Sequence, residues 1–277
     1  MTLNFREGLH HSWDRSNSFL CVGLDPILDK FPQKLQARNQ DPKAINSAVF
    51  EFCRSIVDST HQFVCAYKPQ IAHFSVLGAE NVLKELIAYI HQTYPGIPVI
   101  LDAKRGDVGS TAQMYANEAF VRYGADAVTV NPYLGWDSIR PFTEHEGKGV
   151  VVLCRTSNPD GSLLQEYPSA GKDSVFMRVA EMVSKHDAGN MMLVMGATFP
   201  DLLGFVRQSF PDVPFLVPGI GVQGGDIASV MKHGRSSDGY GLVINSSRGI
   251  IYSSSEDDYV EAALESAKKI SMLMPVR

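Results

Sequence analysis

The chain has 277 residues, of which 44% are hydrophobic and 20% are charged, and its formal net charge is −5. This length suits one (β/α)-barrel or two small domains, with enough apolar residues for a large core. The slight acidity and the absence of a Lys/Arg cluster give no case for a nucleic-acid partner, although local positive charge could still bind a small phosphate compound.

Eight short apolar runs recur along the chain and are typical of strands buried on both faces of a parallel sheet. They occupy residues 19–24, 63–68, 98–104, 126–132, 149–157, 191–198, 215–221 and 241–247. Apolar positions three and four apart predict helices at 43–60, 78–93, 110–122, 173–186, 200–209, 225–233 and 257–274. Thr198 is predicted to cap the helix at 200–209.

This alternation of strands and helices predicts an α/β fold, a single-domain (β/α)8 TIM barrel over residues 1–277. A doubly wound sheet is the alternative, although it normally has fewer strands for this length. Two segments fall outside the regular alternation. They are an N-terminal extension of about residues 1–18 and a long polar loop of about residues 157–173, and such loops are usually functional or mobile.

Cysteine, histidine and terminal patterns predict no disulfide, metal site or membrane segment. Cys21, Cys53, Cys65 and Cys154 have no CxxC spacing, so we expect reduced core cysteines. The eight histidines form no HxH or HExxH motif. The N-terminus has no apolar signal region, and no apolar segment approaches membrane-spanning length. We therefore expect a soluble cytoplasmic protein, with Trp13 and Trp136 as packing residues.

In a (β/α)8 barrel the active site lies at the carboxyl ends of the strands, so the residue that ends each strand becomes a candidate. Two carboxylates, two lysines and an arginine are expected to converge on one mouth. The candidates at strand ends are Asp25, Lys68, Asp102, Lys104, Asp107, Thr156, Ser157, Gln223, Ser246, Ser247 and Arg248.

The segment "DAKRGD" is predicted to place an acid beside a base. Asp102 and Lys104 are two residues apart and would point to the same side of a strand, within reach of Lys68 on the neighbouring strand. A carboxylate keeps an adjacent lysine protonated, so the lysine can act as an acid. The alternative is a structural salt-bridge network on the rim. Arg105 points the opposite way and is expected to pack or form a salt bridge.

The last two strand ends are suited to phosphate. In "VINSSRGI" the small residues let backbone N–H groups approach an anion, and Arg248 could clamp it with paired hydrogen bonds. Phosphate sites in these barrels commonly use the loops after strands seven and eight, here "PGIGVQGGD" and "NSSRGI". Gln223 can donate and accept at an amide-like ring edge. The alternative is a tight turn with a surface arginine.

Six segments together resemble one family. "DAKRGDVGST" is similar to the Asp-x-Lys-x-x-Asp signature of orotidine 5'-phosphate decarboxylases. "VGLDP", "YKPQ", "CRTSNP", "PGIGVQGGD" and "NSSRGI" follow in that family's order, each at a strand end. "TVNPYLG" and "CRTSNP" resemble the longer-chain branch, often called type 2. The resemblance covers nearly the whole chain and implies decarboxylation of orotidine 5'-phosphate to UMP, without a metal or organic cofactor.

The resemblance also implies roles for the reacting centre. Lys104 would deliver the proton to C6 of the pyrimidine as CO2 leaves, and Asp102 would sit beside the departing carboxylate. Lys68 would bridge the carboxylates and the ribose, and Asp25 would bind a ribose hydroxyl.

Further substrate contacts follow from the same resemblance. Ser157 and Gln223 would hold the pyrimidine and the loop that closes over the phosphate. Arg248, with the backbone near Ser247, would hold the phosphate itself.

The resemblance implies a homodimer as well, in which Asp107 and Thr111 reach into the neighbouring subunit's site. Two other functions stay open. One is a Mg²⁺-dependent sugar-phosphate decarboxylase or aldolase of the same superfamily. Those relatives place a metal-binding acid at the end of strand two, where this chain has Lys68. The other is a non-catalytic nucleotide-binding barrel.

Overall fold

The structure is a computed structural model that describes residues 4–36, 41–220 and 225–277. Its strands are β1 (Leu20–Leu24), β2 (Ala66–Pro69), β3 (Ile100–Arg105), β4 (Ala127–Val130), β5 (Gly149–Arg155), β6 (Met191–Met195), β7 (Phe215–Val217) and β8 (Leu242–Ser246). All pairs are parallel, in the order β2-β1-β8-β7-β6-β5-β4-β3. Bridges from Tyr67 to Val99 and from Gln70 to Asp102 join β2 to β3 and close the barrel.

Helices follow the strands around the outside. They are α1 (Phe5–Ser16), α2 (Gln33–Gln36), α3 (Pro42–Thr60), α4 (Ile71–Ser75), α5 (Glu80–Thr93), α6 (Gly109–Asn117), α7 (Trp136–Thr143), α8 (Ser162–Gln165), α9 (Val175–His186), α10 (Pro200–Ser209), α11 (Ile227–Gly234), α12 (Arg248–Ile251) and α13 (Tyr259–Ser271). This is the predicted single-domain (β/α)8 TIM barrel, and not a doubly wound sheet. In the three described ranges, no helix is long and apolar enough to cross a membrane.

The strands are apolar because both of their faces are covered. Every residue of β1, β6 and β8 is buried, between the barrel interior on one side and the helices on the other. All four cysteines are buried and unpaired, which confirms that part of the sequence prediction. The seven predicted helical segments correspond to α3, α5, α6, α9, α10, α11 and α13, whereas α1, α7 and the short helices α2, α4, α8 and α12 were not predicted.

The predicted cap of α10 was wrong. The residue before this helix is Phe199, and no side chain caps its first turn. The hydroxyl of Thr198 instead donates a hydrogen bond to the backbone carbonyl of Ser157, 3.1 Å away. Thr198 therefore links the loop after β6 to the loop after β5, a tertiary contact that a local capping pattern could not reveal.

The N-terminal extension forms a helix that covers the amino ends of the strands. Asn4 and Glu7 form a reciprocal capping box at the start of α1. Trp13 is fully buried, and its Nε1 donates to the carbonyl of Leu242 at 2.8 Å, at the beginning of β8. The hydroxyl of Ser12 donates to the carbonyl of Cys65 at 2.7 Å, just before β2. This helix therefore seals the end of the barrel opposite the carboxyl ends of the strands.

The α1 seal should contribute strongly to stability. We expect Trp13→Ala to lower the free energy of unfolding by about 3–5 kcal/mol, because it removes a large buried ring and leaves a strand carbonyl unpaired. Urea unfolding of the wild type and the variant measures this loss. His11→Ala in the same helix is the control, since His11 is exposed and its removal should cost less than about 0.5 kcal/mol. Equal urea midpoints for the wild type, Trp13→Ala and His11→Ala would contradict a stabilising role of α1 at this end of the barrel.

Candidate active site

A cavity of about 920 Å³ opens at the carboxyl ends of the strands. Its lining brings together the two carboxylates, two lysines and one arginine expected at the mouth. The predicted residues in the lining are Asp25, Lys68, Asp102, Lys104, Thr156, Ser157, Ser246, Ser247 and Arg248. Gln223, which was also predicted to bind substrate, lies outside the described residues.

Asp102 is the centre of the charged cluster. One carboxylate oxygen accepts a hydrogen bond from Lys68 Nζ at 2.9 Å, and the other accepts from Lys104 Nζ at 2.6 Å. The hydroxyl of Thr129 donates to the second oxygen at 2.9 Å. Asp102 is 7% exposed and Lys68 is 5% exposed, whereas half of the Lys104 side chain faces the cavity and solvent. The network is therefore inside the mouth rather than on its rim.

The lysines decide the protonation state of this buried acid. Burial alone would raise the pKa of Asp102, but Lys68 and Lys104 outweigh it and hold the pKa well below its ordinary value. Burial likewise would lower the pKa of Lys68, but Asp102 and then Asp25 raise this pKa above its ordinary value. Asp102 and Lys68 are consequently both charged throughout the neutral range.

An irregular backbone, rather than simple strand alternation, brings Lys104 to Asp102. The pairing of β3 with β4 shifts register between Leu101 and Arg105, and Lys104 has a φ of +48°. A non-glycine residue in this left-handed region is strained and persists only where its surroundings fix it. Here the N–H groups of Ala103 and Lys104 both donate to the Thr129 hydroxyl at 2.9 Å. Thr129 thus holds the strained turn and the carboxylate together.

The opposite wall of the cavity is suited to an anion. Arg248 is exposed at the mouth, and none of the described residues forms a hydrogen bond or ion pair with its guanidinium. The neighbouring Ser247 hydroxyl donates to one carboxylate oxygen of Asp25, which fixes that side chain. The other oxygen of Asp25 is buried without a partner among the described residues.

Side-chain contacts fasten the loop after β5 to the barrel. It contains a 3₁₀ turn and α8, and Gln165 from α8 lines the cavity. Gln165 Oε1 accepts from the backbone N–H of Thr156 at 2.9 Å. Arg155 is 1% exposed, and its guanidinium pairs with Glu166 at 2.7 Å and stacks over the ring of Phe199 at 3.8 Å. These contacts determine where the predicted 157–173 loop meets the cavity.

Ser157 is held by the next strand end. Its carbonyl accepts the Thr198 hydroxyl, and its backbone lies directly against Gly196. A Cβ on Gly196 would come within 2.7 Å of both Cα and N of Ser157, so only glycine fits there without a backbone shift. The close approach places Ser157 in the cavity wall next to Gln165 and Thr156.

Two predicted residues do not reach the cavity of their own chain. Asp107 and Thr111 follow β3 in the chain, and neither is among the lining residues. The Asp107 carboxylate accepts from the adjacent backbone N–H of Val108 at 2.8 Å. Arg105 forms the expected salt bridge, with Glu118 at 2.8 Å.

The polar lining residues that sequence reasoning missed include Thr129, Gln165 and Asn245. Thr129 and Asn245 lie within predicted strands, and the sequence alone does not show which polar side chains of a strand face the cavity. Gln165 lies within the polar loop. Trp136 is not a lining residue, and its ring stacks on that of His186 at 3.9 Å. Among the described residues, no group of three or more histidine, cysteine or acidic side chains could hold a metal ion.

Comparison with known proteins gives consistent matches. The model of the Orotidine 5'-phosphate decarboxylase / HUMPS family matches residues 18–264. A relative from Ralstonia nicotianae, described as an orotidine 5'-phosphate decarboxylase, is 53% identical over 263 residues, which is 94% of each chain.

Solved structures give the same result. The structure of Leishmania donovani OMP decarboxylase is 37% identical with a TM-score of 0.81, and the match covers 98% of this chain and 99% of that one. The structure of Leishmania donovani UMP synthase is 38% identical with a TM-score of 0.82. In that match this chain is 98% covered but spans only 57% of the longer one.

Proposed function

The chain belongs to the Orotidine 5'-phosphate decarboxylase / HUMPS family, and on this premise we propose how its cavity performs the reaction. The chain is an enzyme that decarboxylates orotidine 5'-phosphate to UMP in pyrimidine biosynthesis. The observation that carries the residue assignment is the buried Lys68–Asp102–Lys104 cluster, which joins an ionised acid to a lysine that faces the cavity. The roles below are our proposals for that reaction.

The substrate would lie across the mouth with its phosphate at Arg248. This guanidinium has no acidic partner among the described residues, and arginine binds phosphate through paired hydrogen bonds. The backbone near Ser247 would bind the phosphate beside Arg248. Gln223 and Ser157 would hold the pyrimidine and the loop that closes over the phosphate. The ribose would then lie over Asp25 and Lys68, whose unpaired carboxylate oxygen and ammonium suit hydroxyl groups.

This pose would place the pyrimidine carboxylate beside Asp102. The bond from C6 to the carboxylate carbon breaks, CO2 leaves, and the electron pair stays on C6. A proton from Lys104 Nζ then forms the new C6–H bond, which leaves Lys104 neutral until it takes a proton from solvent. Half of this side chain is exposed to the cavity, so the proton can be replaced.

The charges favour the transition state over the bound substrate. Two carboxylates side by side repel each other, and this repulsion falls as CO2 departs. The Lys104 ammonium attracts the negative charge that grows at C6, so its interaction strengthens during the step. An interaction stronger in the transition state than in the ground state accelerates the reaction.

Lys104→Ala tests the proposed acid. We expect turnover of orotidine 5'-phosphate to fall by more than about a thousandfold, since one group supplies both the proton and the charge. The decrease in ultraviolet absorbance of orotidine 5'-phosphate measures turnover, and thermal unfolding shows whether the variant is folded. Lys148→Ala is the matched control, because Lys148 pairs with Asp126 at 3.6 Å near the amino ends of the strands. A folded Lys104→Ala enzyme within about tenfold of the wild type would rule out Lys104 as the acid.

We also propose that a second copy of the chain completes each site. Apolar side chains that are 45–80% exposed follow β2, β3 and β4, on the same side of the barrel as Asp107. They are Val76, Val108, Met114, Tyr133 and Leu134. An exposed apolar group of this kind favours a protein contact, and in a two-fold dimer both subunits use the same surface. Asp107 and Thr111 would then cross this interface into the partner's cavity.

Mixing two inactive variants tests the shared site. Lys104→Ala and Asp107→Ala chains should each be nearly inactive alone. In a mixed dimer one site carries both defects and the other has neither, so each mixed dimer should regain about half of the wild-type activity. Subunit exchange is checked with differently tagged chains. If exchanged mixtures stay as inactive as the parents, Asp107 acts within its own chain.

A further inference from the structure

Asn245 is a polar side chain inside the barrel with an unused acceptor. It lies on β8, is 9% exposed, and lines the active-site cavity. Its Oδ1 is buried and has no hydrogen-bond partner in the described parts of the chain. The preceding residues of β8, Val243 and Ile244, are fully buried and apolar, and the hydroxyl of the following residue, Ser246, forms no hydrogen bond with Asn245 among the described residues.

A glycine on the adjacent strand lets Asn245 and Ser247 pack closely together in the cavity wall. Asn245 pairs in register with Cys21 of β1, and the next inward-facing position of β1 is Gly23. A Cβ on Gly23 would stand 2.8 Å from the Ser247 hydroxyl and 3.2 Å from Asn245 Oδ1. Because Gly23 has no side chain, Asn245 Oδ1 and the Ser247 hydroxyl can both lie close against β1, next to the carboxylate of Asp25.

Two buried acceptors on lining residues therefore have no donor in the parts of the chain that the structure describes. They are Oδ1 of Asn245 and the free oxygen of Asp25. A buried acceptor without a partner is unfavourable, so such atoms usually have a ligand or ordered water as their donor. In the proposed pose the phosphate at Arg248 and the carboxylate at Asp102 are acceptors themselves and cannot supply it. The ribose, which would lie over Asp25, carries hydroxyl groups that can.

We infer that Asn245 is a further ribose-binding residue besides Asp25 and Lys68, whose Oδ1 accepts a hydrogen bond from a ribose hydroxyl. This inference rests on the proposed function and adds to it a residue that distinguishes ribose from deoxyribose. A site with a polar group positioned for a substrate hydroxyl disfavours an analogue without it, because the polar group is then left unpaired.

The experiment replaces Asn245 with leucine, which has nearly the same shape but no amide. For orotidine 5'-phosphate we expect kcat/KM to fall roughly ten- to hundredfold. The 2'-deoxy and 3'-deoxy analogues identify the hydroxyl that is bound. The wild type cannot form this contact with the analogue that lacks the bound hydroxyl. On that analogue, kcat/KM of Asn245→Leu should therefore be less than about threefold below that of the wild type.

Stability and a matched variant separate binding from folding. Asn245→Leu should unfold at the same temperature as the wild type or a higher one, because it removes an unpaired buried polar atom. Asn190→Leu is the control, since Asn190 also has a buried unpaired Oδ1 but lies at the amino end of β6. Asn190→Leu should leave kcat/KM unchanged for orotidine 5'-phosphate and for both deoxy analogues. If Asn245→Leu does not fold, Asn245→Ser gives the same comparison with a smaller loss.

Equal losses for orotidine 5'-phosphate and both deoxy analogues would overturn the inference and make Asn245 a structural residue. No loss for any substrate would also overturn it. A wild type without activity on orotidine 5'-phosphate would instead overturn the proposed function, and with it the premise of this comparison.

Discussion

The site depends on one buried carboxylate that is kept ionised by two lysines. Asp102 could not remain charged at 7% exposure without the ammonium groups of Lys68 and Lys104. Removing one partner of such a group would leave a buried charge uncompensated, which costs several kcal/mol. The same charges repel the substrate carboxylate and attract the carbanion in the proposed reaction. Stability and catalysis therefore both require that Asp102, Lys68 and Lys104 stay charged and in contact.

The barrel supplies the geometry that this charge cluster needs. Lys68 comes from β2, Asp102 from β3 and Thr129 from β4, so three successive strands meet at one carboxylate. The strained turn at Lys104 is held by two N–H bonds to Thr129. At the other end α1 covers the strand beginnings, so the apolar interior stays closed beneath the polar mouth. A rigid closed barrel limits the motion of the cluster relative to a bound substrate.

Sequence patterns predicted the architecture and most of the charged site. Eight apolar runs identified the strands because both of their faces are buried, and the rule that barrel sites lie at strand ends selected Asp25, Lys68, Asp102 and Lys104. Helix α1 was missed because its buried face covers strand beginnings that are remote in sequence. Thr129 and Asn245 were missed since their roles depend on neighbours across the barrel. A pattern along one strand does not contain that information.

The most direct test of the account is Asp102→Asn, which keeps the shape of the side chain and removes its charge. Turnover of orotidine 5'-phosphate should fall at least about a hundredfold, while its dissociation constant stays the same or decreases because the repulsion with the substrate carboxylate is gone. UMP, which has no carboxylate, should show no such gain in affinity. A folded variant that turns over substrate within about tenfold of the wild type would contradict the central role of the Asp102 charge.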